Sequence, residues 1–176
     1  RRSSQASPVV ESVRLTELVD RSVEMVAPAL RQCLTVELDS SMPGTEALRL
    51  PRITLQQVFQ NLIQNAAESV RQAGREHGIL RISCSIVTGA EGRHLLLRFT
   101  DDGIGIPPGH ASRIFEKGFS TKSRETNFGI GLHWCANALN ALGGSIRAES
   151  DGLAGATLQV VVPLREVSAT AVAQAA

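Results

Sequence analysis

Two asparagines, Asn61 and Asn65, stand in the run Gln60-Asn61-Leu62-Ile63-Gln64-Asn65-Ala66-Ala67-Glu68. At i and i+4 on a helix, both amides leave the same face. Paired amide oxygens suit a hard cation such as Mg²⁺, which takes few protein ligands and completes its shell with phosphate and water. The same spacing also fits a solvated helix face. A second chemistry belongs to Asp101-Asp102-Gly103-Ile104-Gly105-Ile106-Pro107. A carboxylate backed by two glycines can meet a flat ligand at close backbone approach. Being acceptor-only, Asp101 would take the amino hydrogens of adenine and repel the carbonyl of guanine. An ordinary Asp-Gly turn is the plainer alternative.

Two further runs carry groups suited to phosphate. Ile114-Phe115-Glu116-Lys117-Gly118-Phe119-Ser120-Thr121-Lys122 alternates apolar anchors with hydroxyls and cations, as a docking lid would. Lys122 and Arg124 are its candidate phosphate partners, although charges in a loop are as readily just solvated. Phe128-Gly129-Ile130-Gly131-Leu132-His133 opens a helix, where free N–H groups and the positive dipole end face an anion. A tight turn is the competing reading.

The elements that must position these groups follow from periodicity. Val13, Leu15, Leu18, Val19, Val23, Val26, Ala27 and Leu30 predict an amphipathic helix over about 16–31. Leu34, Val36 and Leu38 alternate as a strand, Ser40-Ser41-Met42-Pro43-Gly44 turns the chain, and Ala47–Leu50 reads as a short return strand. Pro51 can open a helix over about 52–73, since its missing N–H is not needed there. Residues 79–87 and 94–100 predict a hairpin around Gly89-Ala90-Glu91-Gly92. The long loop 102–128 is of functional length. A helix over about 130–142 stops at Gly143-Gly144, and strands at 145–149 and 157–163 flank an Asp151-Gly152 turn. Helices and strands do not alternate regularly, so the fold class is α+β, a mixed sheet with helices packed on one face.

Composition narrows the function. The 176 residues suffice for one ordinary domain, and 43% hydrophobic against 20% charged permits a real core. Eighteen Lys+Arg against 17 Asp+Glu leave +1, which with few aromatics and no Tyr argues against a nucleic-acid partner. No apolar run approaches the roughly 20 residues of a membrane span. Cys33, Cys84 and Cys135 are far apart and odd in number, so buried free thiols in a reducing cytoplasm are expected. Walker, HExxH and GxSxG motifs are absent from the sequence.

In this order and spacing the four runs resemble the ATP-binding catalytic domain of sensor histidine kinases, within the wider Bergerat-fold family of gyrase, Hsp90 and MutL. Asn61 and Asn65 match the N box, Asp101, Gly103 and Gly105 the first glycine box, and Ile114–Lys122 the F box. Gly129 and Gly131 match the second glycine box, and Gly155-Ala156-Thr157 looks like the terminal Gly-x-Thr element. The Phe-Ser-Thr-Lys and Phe-Gly-Ile-Gly-Leu-His wording is most similar to the subgroup that includes nitrogen- and oxygen-sensing kinases. The resemblance covers about residues 12–165, with 1–11 as a linker from a preceding helical domain and 166–176 as a tail.

That resemblance implies an α/β sandwich of mostly antiparallel sheet, and ATP and Mg²⁺ as cofactors. It implies Asp101 on the adenine amino group, with Thr157 supporting it through water, and Asn61 and Asn65 holding Mg²⁺ against the triphosphate. Gly103, Gly105 and Ile106 would line the nucleotide site. Gly129, Ile130, Gly131 and Leu132 would cradle phosphates, with Phe119, Ser120, Thr121 and Lys122 on the lid side. His133 would reach a phosphate or simply start its helix. Asp102, where the family more often has Asn, would add negative charge near the metal. Asn61 occupies the position at which the ATPase relatives carry a Glu general base, and an amide cannot accept a proton at neutral pH. Histidine needs less help, because a neutral imidazole nitrogen is already a nucleophile. This favours phosphoryl transfer to histidine over hydrolysis; a degenerate scaffolding domain and a gyrase-like hydrolase are the alternatives. The acceptor histidine is usually followed by Glu or Asp. Here His77, His94, His110 and His133 precede Gly78, Leu95, Ala111 and Trp134. The acceptor is therefore expected on a separate dimerisation domain, with a response regulator downstream, and the piece at hand is expected to be cytoplasmic and monomeric.

Overall fold

The computed structural model describes residues 7–39, 47–119, 130–151 and 154–165, with the side chain of Ile130 left aside. A short strand, β1 (Glu11–Arg14), leads directly into α1 (Leu15–Glu24), which buries Leu15, Leu18, Val19 and Ser22 on one face. The single helix expected over 16–31 is interrupted. Pro28 has no N–H to continue the ladder, so the chain leaves the helix after Glu24 and restarts at Pro28 as the one-turn α2 (Pro28–Arg31). β2 (Leu34–Leu38) and β3 (Ala47–Leu50) follow. β3 pairs antiparallel with β1, from Glu11 opposite Leu50 to Arg14 opposite Ala47, as a separate two-stranded sheet. Glu11 thus belongs to a strand and not to the linker expected over 1–11. Four residues are too few for alternation to show, and the partner lies far along the chain.

α3 (Arg52–Gln72) starts after Pro51 as expected and buries Leu55, Val58, Phe59, Leu62, Ile63, Ala66, Ala67 and Val70 at helical spacing. The hairpin of β4 (Gly78–Gly89) and β5 (Gly92–Asp101) is longer than the alternation indicated, running from Leu80 opposite Asp101 to Gly89 opposite Gly92. α4 (Ile130–Ala141) ends where Gly143, at φ 79°, lets the Gly144 N–H turn back to the Leu139 carbonyl at 2.8 Å. β6 (Ser145–Glu149) and β7 (Ala156–Pro163) complete the order β2-β4-β5-β7-β6. Among the described residues only β2 runs parallel to its neighbour; the other pairs are antiparallel.

Alternation along the strands divides the large sheet. Leu80, Ile82, Leu95, Leu97, Phe99, Leu158, Val160 and Val162 turn inward beneath the helices, where the Phe59 and Phe99 rings meet edge-on at 5.1 Å. The other face is polar: Arg81 pairs with Glu37 at 3.1 Å, and Arg98 and Arg147 reach Glu149 at 3.0 and 3.3 Å. This is the expected α+β sandwich. Among the described residues no helix is long and apolar enough to cross a membrane.

Candidate functional site

The site forms where β5 ends beneath α3. Phe99 faces the core and Thr100 the open side, so the pleat turns Asp101 inward. Its Oδ1 accepts the Gly103 N–H at 2.8 Å and lies 3.4 Å from Ser69 Oγ. Ser69 Oγ accepts the Ile104 N–H at 3.0 Å, which leaves the single hydroxyl proton for Asp101. A Cβ on Gly103 would overlap both the side chain and the backbone of Ser69, so glycine is what allows the strand end to lie on the helix. Gly155, at φ 71°, serves the same end: its N–H donates to the Gly103 carbonyl at 2.8 Å, and a Cβ there would overlap the Asp101 carbonyl. Burial pushes the Asp101 carboxyl above its ordinary pKa, opposed by the Gly103 N–H and the Ser69 hydroxyl and reinforced by the charge of Asp102.

Asp102 points elsewhere. Its Oδ1 accepts the Ile79 N–H at 2.8 Å and its Oδ2 is 2.8 Å from Arg75. Arg75 also donates to the Asp102 carbonyl at 2.6 Å. Burial alone would raise this carboxyl, but the Ile79 N–H and the guanidinium outweigh it and hold it below its ordinary value. The negative charge expected beside a metal and phosphates is therefore spent on Arg75 at the joint of α3, β4 and β5.

Above Asp101 opens a cleft of about 650 Å³, counted out to its open mouth. Leu62, Phe99, Ile106, Leu132 and Leu158 supply apolar walls, and Asn65, Ser69, Gln72 and Asp101 polar side chains. A flat apolar ring system with one polar edge suits such a lining. Of the residues expected from the sequence, Asn65, Asp101, Gly105, Ile106 and Leu132 line this cleft, and Gly103 borders it through Ser69. Asn61 does not join Asn65 there. Its Nδ2 donates to the Gln57 carbonyl at 3.1 Å, and its Oδ1 would stand 2.9 Å from a Cβ on Gly131, so the amide is turned to the start of α4. Among the described residues no group of three His, Cys, Asp or Glu is placed to hold a metal. A divalent cation here would rest on the neutral amide of Asn65, the Asn61 amide one turn away, and the ligand itself.

Two expected residues, Thr157 and Phe119, lie away from this cleft, and His133 stands in the first turn of its helix, the second of its two readings. Ala156 lies opposite Asp101 in the ladder and shares its face; Thr157 falls on the other side, its Oγ1 2.9 Å from Thr100 Oγ1. Thr157 is therefore turned away from the cleft that Ala156 lines. Phe119 packs edge-on against His110 at 5.4 Å beneath the Arg113 guanidinium at 4.9 Å, not in the cleft. His133 engages Phe115 and Asn137 through its two ring nitrogens. Ser120, Thr121, Lys122 and Gly129 lie outside the described residues, and Ile130 is placed only as the first backbone unit of α4.

Ser69, which lines the cleft and holds Asp101, was missed in the sequence. Its signal was present, since 61, 65 and 69 form one i+4 row on α3. Ala156 carried no signal short of the β5–β7 register.

Residues 51–166 match the family described as Histidine kinase-, DNA gyrase B-, and HSP90-like ATPase. The chain is 32% identical over 134 residues to the Sensor protein TdiS of Thauera aromatica, covering 76% of this chain and 24% of that one. It is 28% identical over 150 residues to the Sensor protein FixL of Bradyrhizobium diazoefficiens, covering 85% and 28%. The chain thus spans about a quarter of the length of these relatives. In fold it is similar to full-length ShkA in complex with AMPPNP, at TM-score 0.74 and 21% identity over 94% of this chain and 33% of that one. It is similar also to the mycobacterial sensor histidine kinase MprB, at TM-score 0.70 and 24% identity over 90% of this chain and all of that one.

Proposed function

Because the chain belongs to the family of histidine kinase-, DNA gyrase B- and HSP90-like ATPases, we propose that its cleft binds ATP and presents the γ-phosphate to a histidine on a separate dimerisation domain of a two-component sensor kinase. The observation that carries this reading is the Asp101 carboxylate, held by Ser69 and Gly103 beside apolar walls. An ionised carboxylate in that setting accepts the adenine amino hydrogens and disfavours the guanine carbonyl. The start of α4, where Leu132 lines the cleft, would direct N–H groups and the positive end of the helix dipole toward the phosphates. Asn65 and Asn61 would hold Mg²⁺, which when bound neutralises charge on the triphosphate. Ser120, Thr121, Lys122 and Gly129 retain in this reading the phosphate-side roles that the resemblance implies.

What the chain's own residues do is bind and orient. Asn61 cannot take a proton from water, so the bound nucleotide is spared hydrolysis at that position until a histidine, already nucleophilic as the neutral ring, is brought to it. A response regulator would then receive the phosphoryl group, in the cytoplasm.

Calorimetric titration with ATP, with and without Mg²⁺, tests this on the wild type and Asp101→Asn. Saturable wild-type binding is expected, weakened on the order of tenfold or more in the variant, since a hydrogen bond to a charged group is lost and an amide N–H is turned on the adenine amino group. A well-folded wild type that binds no ATP would overturn the proposal. Incubated alone with labelled ATP, the chain is expected to acquire no acid-labile phosphate, and to transfer phosphate once a histidine-containing dimerisation domain is added.

A further inference from the structure

His133 stands in the first turn of α4 with both ring nitrogens committed. Nδ1 is 3.0 Å from the Phe115 carbonyl oxygen, and Nε2 is 3.1 Å from Nδ2 of Asn137, one turn further along. A carbonyl has no proton to give, so Nδ1 carries the hydrogen and donates it. The neutral ring then keeps its lone pair at Nε2, and the Asn137 amide donates into it. This is the less common tautomer of a free imidazole, selected by two partners at once.

The hydrogen bond joins two segments that both line the cleft. Phe115 follows Ile114, whose side chain is part of the wall, and the pair packs against the core from the loop after β5. His133 follows Leu132, which is also part of the wall. Neither segment belongs to a ladder that would otherwise fix one against the other. The Ile114 N–H goes back to the His110 carbonyl at 3.1 Å, within its own loop.

We propose that His133 is a positioning residue. Its Nδ1–H clasps the Phe115 backbone to the first turn of α4 and so sets the spacing between the Ile114 and Leu132 walls. The ring thereby acts on the ligand through these walls and not by contact with a phosphate. The nature of the ligand rests on the ATP reading above; the clasp itself does not.

Two measurements on the whole chain test it. Nitrogen-15 NMR of the wild-type imidazoles is expected to show His133 protonated at Nδ1 when neutral; an Nε2-protonated ring would overturn the clasp. Affinities for adenosine and ATP are then compared across His133→Asn, His133→Gln and His133→Ala. Asn places an amide N–H near the position of Nδ1, whereas Gln places it near that of Nε2. Expected are affinities within about twofold of wild type for Asn, and a loss of about fivefold for Gln and Ala, the size of one hydrogen bond. That loss should be equal for adenosine and ATP. A loss confined to ATP would make the ring a phosphate ligand and overturn the proposal, as would three variants that bind like wild type. A wild type that binds neither compound overturns the ATP reading and leaves the tautomer to decide the clasp, with Nδ1–H sustaining it.

Discussion

At Gly103 the absent side chain serves the protein before it serves a ligand. The glycine lies against Ser69, and together they hold Oδ1 of Asp101. Gly103→Ala must push β5 away from α3, and a loss of about 1–3 kcal/mol in urea denaturation is expected from overpacking. Ser69→Ala keeps the contact but strips one partner each from Asp101 and the Ile104 N–H; here the expectation is a cost of about 1 kcal/mol with adenosine affinity reduced. If Ser69→Ala bound adenosine like the wild type, the carboxylate would not need the hydroxyl. Asp101 and Asn65 were legible in the sequence because strand end and helix row each announce a direction. Thr157 was misdirected, since which face it takes depends on its register opposite Thr100. Asn61 was placed on the correct helix, but its amide orientation depends on Gly131, seventy residues away by sequence number.

The elements meet at the pair of Arg75 and Asp102, which ties the chain just beyond α3 to the start of β4 and the end of β5. The Asp102 carboxyl is held below its ordinary pKa, so its contribution is complete above the unfolded value and fades as pH falls through the folded one. Both partners are substantially exposed, at 45% and 39%, which limits the pair to about 1 kcal/mol or less. Arg75→Met should therefore lie below wild type in urea stability at neutral pH, with the gap closing on acidification through that range. A gap that widened in acid would reverse the assignment. α3, the hairpin and the last two strands were legible because long periodic runs fix element type even where ends shift. β1 and the break before α2 were not: one is four residues long, and the other turns on Pro28 inside an otherwise helical apolar period.

Across the whole molecule, the layering of helices on one face was readable from irregular alternation, whereas the strand order was not. The parallel pairing of β2 with β4 spans β3 and α3 and leaves no local mark. The three cysteines are free and buried as expected, with burial pushing the Cys84 thiol up to about 11 and that of Cys135 to about 12. A thiol-reactive chromophore at mildly alkaline pH should accordingly label the native chain only slowly and all three sites at once in guanidinium, since the thiolate is the reacting form. Prompt native labelling would place a cysteine at the surface. The polar side of the sheet bears differently on the molecule's life in a crowded solution. An open sheet with two edge strands is a template for stacking and edge growth. Here β2 brings Glu37 and β6 brings Arg147 and Glu149 to those edges, with Arg81 and Arg98 between them. Stacking two such faces would strip water from guanidinium and carboxylate groups that are already paired, and the gain is too small to offset it. Colloidal stability is thus written into the same strands whose opposite side builds the cleft.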